Sequence, residues 1–74
     1  MEWYKILRKM RREKEMSQDD LALMLGCQHR RYWGWEKGIN IPGPIYQKKI
    51  ADALGVAEDA IFSGELRRRK DERS

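Results

Sequence analysis

The residues that follow Gly26 carry side chains able to form hydrogen bonds with nucleic acid. Gln28 and His29 can bond to base edges, and Arg30 can offer two parallel N–H donors to O6 and N7 of guanine. Lys37 supplies a flexible point charge, which suits a phosphate group. Such side chains on the outward face of one helix indicate a surface that enters a DNA groove.

Two short helices joined by a tight turn are predicted to position these side chains. The first begins at Gln18, and Gly26 stands where a left-handed residue would end it. Apolar or small residues three and four apart form one face of this helix, at Leu21, Ala22 and Leu25. The second helix is predicted over 29–37, with Tyr32 and Trp35 on its buried face. Its outward-facing residues are expected to be His29, Arg30, Trp33, Gly34 and Lys37.

Length and composition limit the classes of protein that this chain can form. Its 74 residues indicate one domain with a small core, because a chain of this size buries only about 60% of its unfolded surface. The formal net charge of +4 favours an anionic partner. Cys27 and His29 are the single cysteine and histidine, so no internal disulfide forms and the pair cannot supply a tetrahedral zinc site alone. We predict no metal, no cofactor, no membrane span and a reducing cytoplasm.

Three further helices are predicted on either side of this pair. The first covers 2–15, and its lysines and arginines form a solvated face, or one or two of them contact phosphate. Its buried stripe consists of Trp3, Ile6, Leu7 and Met10. A fourth helix runs from Pro44 to about Leu54, and a short fifth one covers 57–62. The buried positions expected on the fourth helix are Ile45, Lys49, Ile50, Ala53 and Leu54.

The start of the second helix shows a capping pattern. Ser17 is a favourable N-cap residue, and Asp20 follows it three positions later. Gln18 lies in the first turn, where its amide either bonds a DNA phosphate or is simply an exposed helix former. Cys27, after the turn, is expected to point into the core as an inert thiol.

The domain boundary is predicted from composition near the C-terminus. Residues 1–64 form the DNA-binding domain, and 65–74 form a basic charged tail. The tail contains one leucine and cannot bury a face of its own.

Three sequence blocks resemble the Cro and phage-repressor type of helix-turn-helix protein, the Xre-like family. The blocks are SQDDLALMLG at 17–26, WEKG at 35–38 and IADALGV at 50–56. The family typically shows SQ-x-x-LA-x-x-LG, WE-x-G and a hydrophobic-A-x-x-LGV segment in this order. The resemblance covers 7–62. It implies an all-α, compact five-helix, lambda-repressor-like DNA-binding domain in which helices 2 and 3 form the helix-turn-helix.

The resemblance also implies which residues contact DNA. Gln18 matches a glutamine that usually contacts a phosphate, and the helix that starts near His29 matches the recognition helix. Lys37 and Asn40 match positions that usually approach the DNA backbone. The full predicted DNA-binding set is Gln18, Gln28, His29, Arg30, Arg31, Trp33, Gly34, Lys37 and Asn40.

The residues and the resemblance together predict a sequence-specific transcriptional regulator that binds a double-stranded DNA operator, with repression as the expected effect. A homodimer on DNA is expected because such proteins usually bind two half-sites about one helical turn apart. Its predicted seam consists of Ile61 and Phe62 together with Leu66, although Ile61 and Phe62 could instead close the core of the single chain. The resemblance implies a prokaryotic or phage-encoded, cytoplasmic protein.

Two other classes of function are weighed against this prediction. The alternative is an antitoxin-type interaction module that binds its own operator and also covers a protein partner, which Trp33 and the basic tail could serve. An enzyme has little support, because the sequence offers no Ser/His/Asp set, no phosphate-binding loop and no paired carboxylates around a basin. Asp19 and Asp20 are adjacent at a helix start, where they cap the helix. No catalytic residue is predicted.

Overall fold

The computed structural model describes residues 2–62, which form four α-helices followed by one turn of 3-10 helix. The elements are α1 (Trp3–Glu13), α2 (Gln18–Leu25), α3 (His29–Glu36), α4 (Pro44–Leu54) and the 3-10 turn (Glu58–Ala60). This part of the chain contains no strand, so the predicted all-α class is confirmed. α2 and α3, joined by the turn at 26–28, form the predicted helix-turn-helix.

The prediction of five α-helices is wrong at the end of the described chain. The segment 57–62 forms only the short 3-10 turn, and Ala57 gives it no side-chain cap. Ile61 and Phe62 turn directly into the core, so the backbone leaves the helical path after three residues. The predicted tail at 65–74 and the domain boundary at residue 64 lie outside the described residues.

The predicted signals at the ends of α2 are confirmed. Ser17 Oγ accepts a hydrogen bond from the backbone N–H of Asp20 at 3.0 Å, and Oδ2 of Asp20 accepts one from the backbone N–H of Ser17 at 3.0 Å. The bond from the Ser17 backbone N–H, followed by the side chain of Ser17, lowers the pKa of the Asp20 carboxyl. Gly26 ends the helix in the left-handed region, with φ of 74°. Local sequence therefore fixes where the helix-turn-helix begins and turns.

The core of the described chain is built from the faces that the helices turn towards one another. Tyr32 and Trp35 of α3 are buried, as predicted, and their rings meet edge to face with centroids 6.0 Å apart. Cys27 is half-buried and packs against the core, and this burial raises the pKa of its thiol. The central cluster of buried hydrophobic side chains consists of Leu7, Leu21, Ala22, Leu25, Tyr32, Trp35, Ile50, Leu54, Ile61 and Phe62.

The buried face of α4 is rotated relative to the prediction. Ile50 and Leu54 are buried as expected, but Ile45 is 72% exposed and Lys49 is exposed. Gln47 is buried instead, because its side-chain Nε2 donates to the carbonyl of Pro42 at 2.9 Å and so satisfies a polar group inside the fold. The amphipathic spacing alone did not reveal this polar anchor.

Ile61 and Phe62 close the core of the single chain, with exposed fractions of 2% and 0%. The Phe62 ring packs on Trp3 of α1 at a centroid distance of 5.7 Å. A dimer seam through these two side chains would require them to leave the core, so the seam predicted from their apolar character loses its basis. Leu66, the third residue of that seam, lies outside the described residues.

Two left-handed glycines provide a matched test of local backbone strain against packing. Gly26 and Gly38 both have φ of 74°, but an added Cβ meets nothing within 4 Å at Gly26 and lies 2.6 Å from Cε1 of Tyr4 at Gly38. We expect Gly26→Ala to lower the free energy of unfolding by about 1 kcal/mol through φ alone. Gly38→Ala should cost about 2–3 kcal/mol, because the Tyr4 ring must also move.

Urea denaturation of both variants checks this prediction, and equal losses would contradict it. Removing the obstructing ring provides the control. In a Tyr4→Ala background, the Gly38→Ala loss should fall to the value measured for Gly26→Ala.

Candidate nucleic-acid interface

One face of α3 and its C-terminal cap present a stripe of exposed side chains, which we call the α3 stripe: Arg30, Trp33 and the cap residue Lys37. These residues lie three and four positions apart, so they share one side of the helix axis. Trp33 is 42% exposed, and Nζ of Lys37 lies 5.6 Å from the centroid of its ring. The stripe thus combines a guanidinium, an aromatic face and an ammonium on a helix whose opposite side is anchored in the core. Trp33 is exposed and Trp35 is buried, as predicted.

Arg31 and Asn40 lie beside a different surface from the α3 stripe. Both line a cleft of about 380 Å³ between α3 and the start of α4, together with Trp35, Ile41, Pro42, Gly43 and Tyr46. Both residues are exposed. The structure therefore separates the two adjacent arginines, since Arg30 belongs to the stripe and Arg31 to the cleft.

Gly34 does not face outward, contrary to the prediction. It is buried, and an added Cβ would lie 2.8 Å from Nδ2 of Asn40. Its carbonyl accepts hydrogen bonds from the backbone N–H groups of Ile39 and Asn40. The glycine allows the loop after α3 to fold back against the helix, so its role is close packing rather than contact with a ligand.

Gln18 and His29, both predicted to contact DNA, contact each other. Oε1 of Gln18 lies 3.0 Å from Nε2 of His29, and Nδ1 of His29 lies 2.9 Å from Oδ1 of Asp19. Nε2 of Gln18 also donates to Oε1 of Glu36 at 3.1 Å. These bonds join the first turn of α2 to both ends of α3.

A buried ion pair that the sequence did not reveal holds α3 against α1. Nε of Arg11 donates to Oε2 of Glu36 at 2.5 Å, and Nη2 donates to Oε1 at 3.1 Å. Nη1 of Arg11 donates to the carbonyl of Met16, and the hydroxyl of Tyr32 donates to Glu36. The two charged side chains are buried, with exposed fractions of 8% and 1%.

The protonation states of Arg11, Tyr32 and Glu36 follow from their contacts. Burial alone would raise the pKa of Glu36, but the hydrogen bonds from Arg11, Tyr32 and Gln18 outweigh it, and the pKa is lowered. The bond to Glu36 raises the pKa of Arg11. Burial, followed by the bond to Glu36, raises the pKa of Tyr32. The group is therefore a carboxylate, a guanidinium and a neutral phenol.

A small cationic cleft opens between α1, the start of α2 and the end of α3. Its volume is about 120 Å³, and its lining residues are Arg8, Arg11, Arg12, Gln18, Glu36 and Lys37. Arg11 is committed to Glu36, whereas Arg12 and Lys37 are exposed, and Nη2 of Arg8 lies 3.3 Å from the carbonyl of Glu36. Basic residues of α1 thus lie beside the N-terminus of α2, where a helix dipole favours anions.

Sequence reasoning placed Arg11 on a solvated face because it considered α1 alone. The partner of Arg11 lies 25 positions away, which no local periodicity reports. The available signal was Glu36, a carboxylate four positions after Tyr32, which places it on the predicted inner face of α3. A charged group at such a position needs a partner of opposite charge.

Comparison with known proteins identifies the family to which this chain belongs. The helix-turn-helix family model matches residues 7–61, which is most of the chain. The chain belongs to the Xre/Cro-like helix-turn-helix family. As a member of that family it is a DNA-binding transcription regulator, a class that is typically not enzymatic.

A solved structure supports the same assignment. The chain is similar to the restriction-modification controller protein C.AhdI from Aeromonas hydrophila, with 28% identity and a TM-score of 0.76. The match covers 81% of this chain and 91% of that one. A search of curated proteins found no match. Within residues 2–62, no helix is long and apolar enough to cross a membrane, and no group of three or more potential metal ligands is found.

Proposed function

We propose that this regulator binds a specific double-stranded DNA operator by inserting α3 into the major groove. The observation that carries the proposal is the α3 stripe, because its three side chains are exposed while the opposite side of the helix is buried. Arg30 lies in the first turn, where a bidentate guanidinium can recognise guanine. Trp33 offers an apolar face to a thymine methyl group, and Gln28 at the start of the helix can bond a base edge.

The cationic cleft supplies the contacts that hold the DNA backbone. Arg8, Arg12 and Lys37 provide positive charge. The first turn of α2, which begins at Gln18, provides backbone N–H groups. Phosphate contacts of this kind fix the register of the protein but do not discriminate between sequences. Arg31 and Asn40, beside the other cleft, are assigned to the backbone next to the recognition helix. Gly34 is not assigned to DNA.

We further propose that a homodimer binds two half-sites about 34–36 Å apart. Its effect would be repression, because a protein that occupies the major groove over a promoter excludes the polymerase. The similarity to C.AhdI favours control of restriction-modification genes as the narrower function. The antitoxin alternative has no comparable observation in its favour.

Selection of duplexes from a random DNA pool by the purified protein tests this function. We expect a recovered sequence with two related half-sites about one helical turn apart. Transcription in vitro from a promoter that overlaps this sequence then tests repression. Recovery of unrelated sequences, with equal affinity for all of them, would contradict sequence-specific binding.

Arg30 is expected to contribute to discrimination between sequences, whereas Lys37 is expected to contribute to the affinity for DNA of any sequence. Arg30→Ala should cost about 1–3 kcal/mol of discrimination at one base pair per half-site, because a bidentate contact is lost. Lys37→Ala should weaken binding to all sequences about equally, because its ammonium contacts phosphate. Titration of both variants against the selected operator and its single-base variants measures the difference. If Arg30→Ala weakens every duplex by one factor, Arg30 contacts phosphate instead.

A further inference from the structure

Both ring nitrogens of His29 face hydrogen-bond acceptors of α2. Nδ1 lies 2.9 Å from Oδ1 of Asp19, and Nε2 lies 3.0 Å from Oε1 of Gln18. A carboxylate can only accept hydrogen bonds, so Nδ1 must carry a proton to bond Asp19. Whether Nε2 must carry one as well depends on which end of the Gln18 amide faces it.

The buried carboxylate of Glu36 fixes the orientation of that amide. Because a carboxylate cannot donate, the NH₂ end of the Gln18 amide must face Glu36, at the observed distance of 3.1 Å. The amide oxygen then necessarily faces His29, and it too can only accept. Both nitrogens of His29 must therefore be donors, which is possible only for the imidazolium form.

We propose that protonated His29 is a positioning residue for DNA binding, which ties the first turn of α2 to the start of α3 and orients the Gln18 amide towards a DNA phosphate. We call this arrangement of Gln18, Asp19 and His29 the histidine clamp. One N–H of the Gln18 amide is used by Glu36, which leaves the second for a phosphate oxygen. His29 itself contacts no base in this assignment, because both of its donors are used within the protein. The proposal rests on the proposed function.

Loss of the proton must weaken the clamp. A neutral imidazole has one N–H donor, so either Asp19 or Gln18 then faces an unprotonated nitrogen. That nitrogen and the oxygen facing it are both acceptors, so they repel each other. Histidine commonly gains or loses its proton between about pH 5 and 8. If DNA binds only the clamped form, neutral His29 takes up a proton when the protein binds DNA. The affinity for DNA should therefore fall as the pH rises, by at most about tenfold per pH unit for each proton taken up.

The charged groups around the clamp are expected to keep their charge in this pH range, so the pH profile is specific to His29. They include Asp19, which touches the ring, and Asp20 and Arg30, which are next to Asp19 and His29 in the chain. The lining of the cationic cleft, on the other side of Gln18, adds Arg8, Arg11, Arg12, Glu36 and Lys37. Arginine and lysine stay charged in this pH range, and Glu36 is held as a carboxylate by its partners. His29 is the single histidine in the sequence. A change of affinity near neutral pH that disappears with His29 therefore reports on this one group.

The test measures affinity for the selected operator by fluorescence anisotropy from about pH 5.5 to 7.5 at constant salt. The natural chain should lose about threefold or more in affinity per protomer across this range. His29→Gln should bind with a flat pH profile and, at low pH, more weakly than the natural chain. Asp19→Asn keeps the imidazole but replaces the carboxylate acceptor with a neutral amide, so it should bind more weakly than the natural chain at low pH. Thermal unfolding at each pH verifies that all three proteins remain folded.

The salt dependence at low pH separates positioning from direct contact. His29→Gln should keep the slope of log affinity against log salt, because His29 neutralises no phosphate in this proposal. A slope smaller by about one per protomer would show that His29 contacts phosphate itself, and would overturn the clamp as a positioning device. Operator binding with a flat profile for the natural chain would also overturn the clamp and leave the proposed function intact. Equal affinity for all duplexes at every pH would overturn the proposed function.

Discussion

Glu36→Ala is expected to lower the free energy of unfolding by about 3–5 kcal/mol, because it leaves the guanidinium of Arg11 buried without its counter-charge. Such a loss is a large part of the 5–15 kcal/mol that typically stabilises a domain. Tyr32 and Gln18 also lose the acceptor to which each donates. Urea or thermal denaturation followed by circular dichroism measures the loss.

The exposed pair of Lys48 and Asp52 provides a matched control. Its atoms lie 3.7 Å apart at helical spacing on α4, and both side chains are mostly exposed. Asp52→Ala should change the free energy of unfolding by no more than about 0.5 kcal/mol, because exposed ion pairs contribute little. Similar losses in both variants would show that the pair of Arg11 and Glu36 is not the anchor of α3.

Because the pKa of Glu36 is lowered in the folded protein, the stabilisation that Glu36 provides should depend on pH. A carboxyl whose pKa is lower in the folded state stabilises the fold above its unfolded pKa, and this contribution is lost as the pH falls through the folded value. Stability of the natural chain should therefore decline below the ordinary value of 4.5. Glu36→Gln, which carries no titrating carboxyl, should be less stable at neutral pH and should decline less steeply on acidification. Asp20, whose pKa is also lowered, accounts for part of the remaining decline.

Operator affinity is expected to fall by roughly 10³–10⁵ between about 50 and 200 mM salt if a dimer neutralises on the order of 6–10 phosphates. The exposed cations of the cationic cleft and of α3 are the source of this dependence, because phosphate contacts release counterions from DNA. Filter binding or anisotropy at several salt concentrations gives the slope. A flat response would contradict the proposed interface as a whole.

Single substitutions locate the contacts that produce this slope. Arg12→Ala and Lys37→Ala should each reduce its magnitude by about one per protomer. Lys48→Ala is the control, because Lys48 is an exposed cation on α4 outside the proposed interface. An equal reduction by Lys48→Ala would show that net charge, rather than the cleft, determines the salt dependence.

The sequence predicted those features that depend on neighbours along the chain. The capping residues Ser17 and Asp20 and the left-handed Gly26 act within one helical turn, so their types and spacing were sufficient. The inner and outer positions of Trp35 and Trp33 also followed from the helical period alone. The family blocks add the order of the elements, which periodicity does not contain.

The errors arose where a distant residue decides the environment. Gly34 was assigned to the outer face, but the loop after α3 returns and places Asn40 against it. For Ile61 and Phe62 the sequence left open a dimer seam or a role in the core, because their short segment showed no partner, whereas Trp3 at the other end of the described chain packs on Phe62. The burial of Arg11 likewise depends on a carboxylate in another helix. Such contacts are set by tertiary packing rather than by local spacing.

The opposite placement of anchoring and exposed side chains on α3 has a consequence for how this regulator can evolve. Tyr32, Trp35 and Glu36 hold the helix, while Arg30 and Trp33 are exposed and lie outside the core cluster. Mutations at the two exposed positions are therefore free to accumulate under selection for a new operator without first being compensated elsewhere. A library randomised at 30 and 33 should yield folded proteins at high frequency, whereas one randomised at 32 and 36 should yield few.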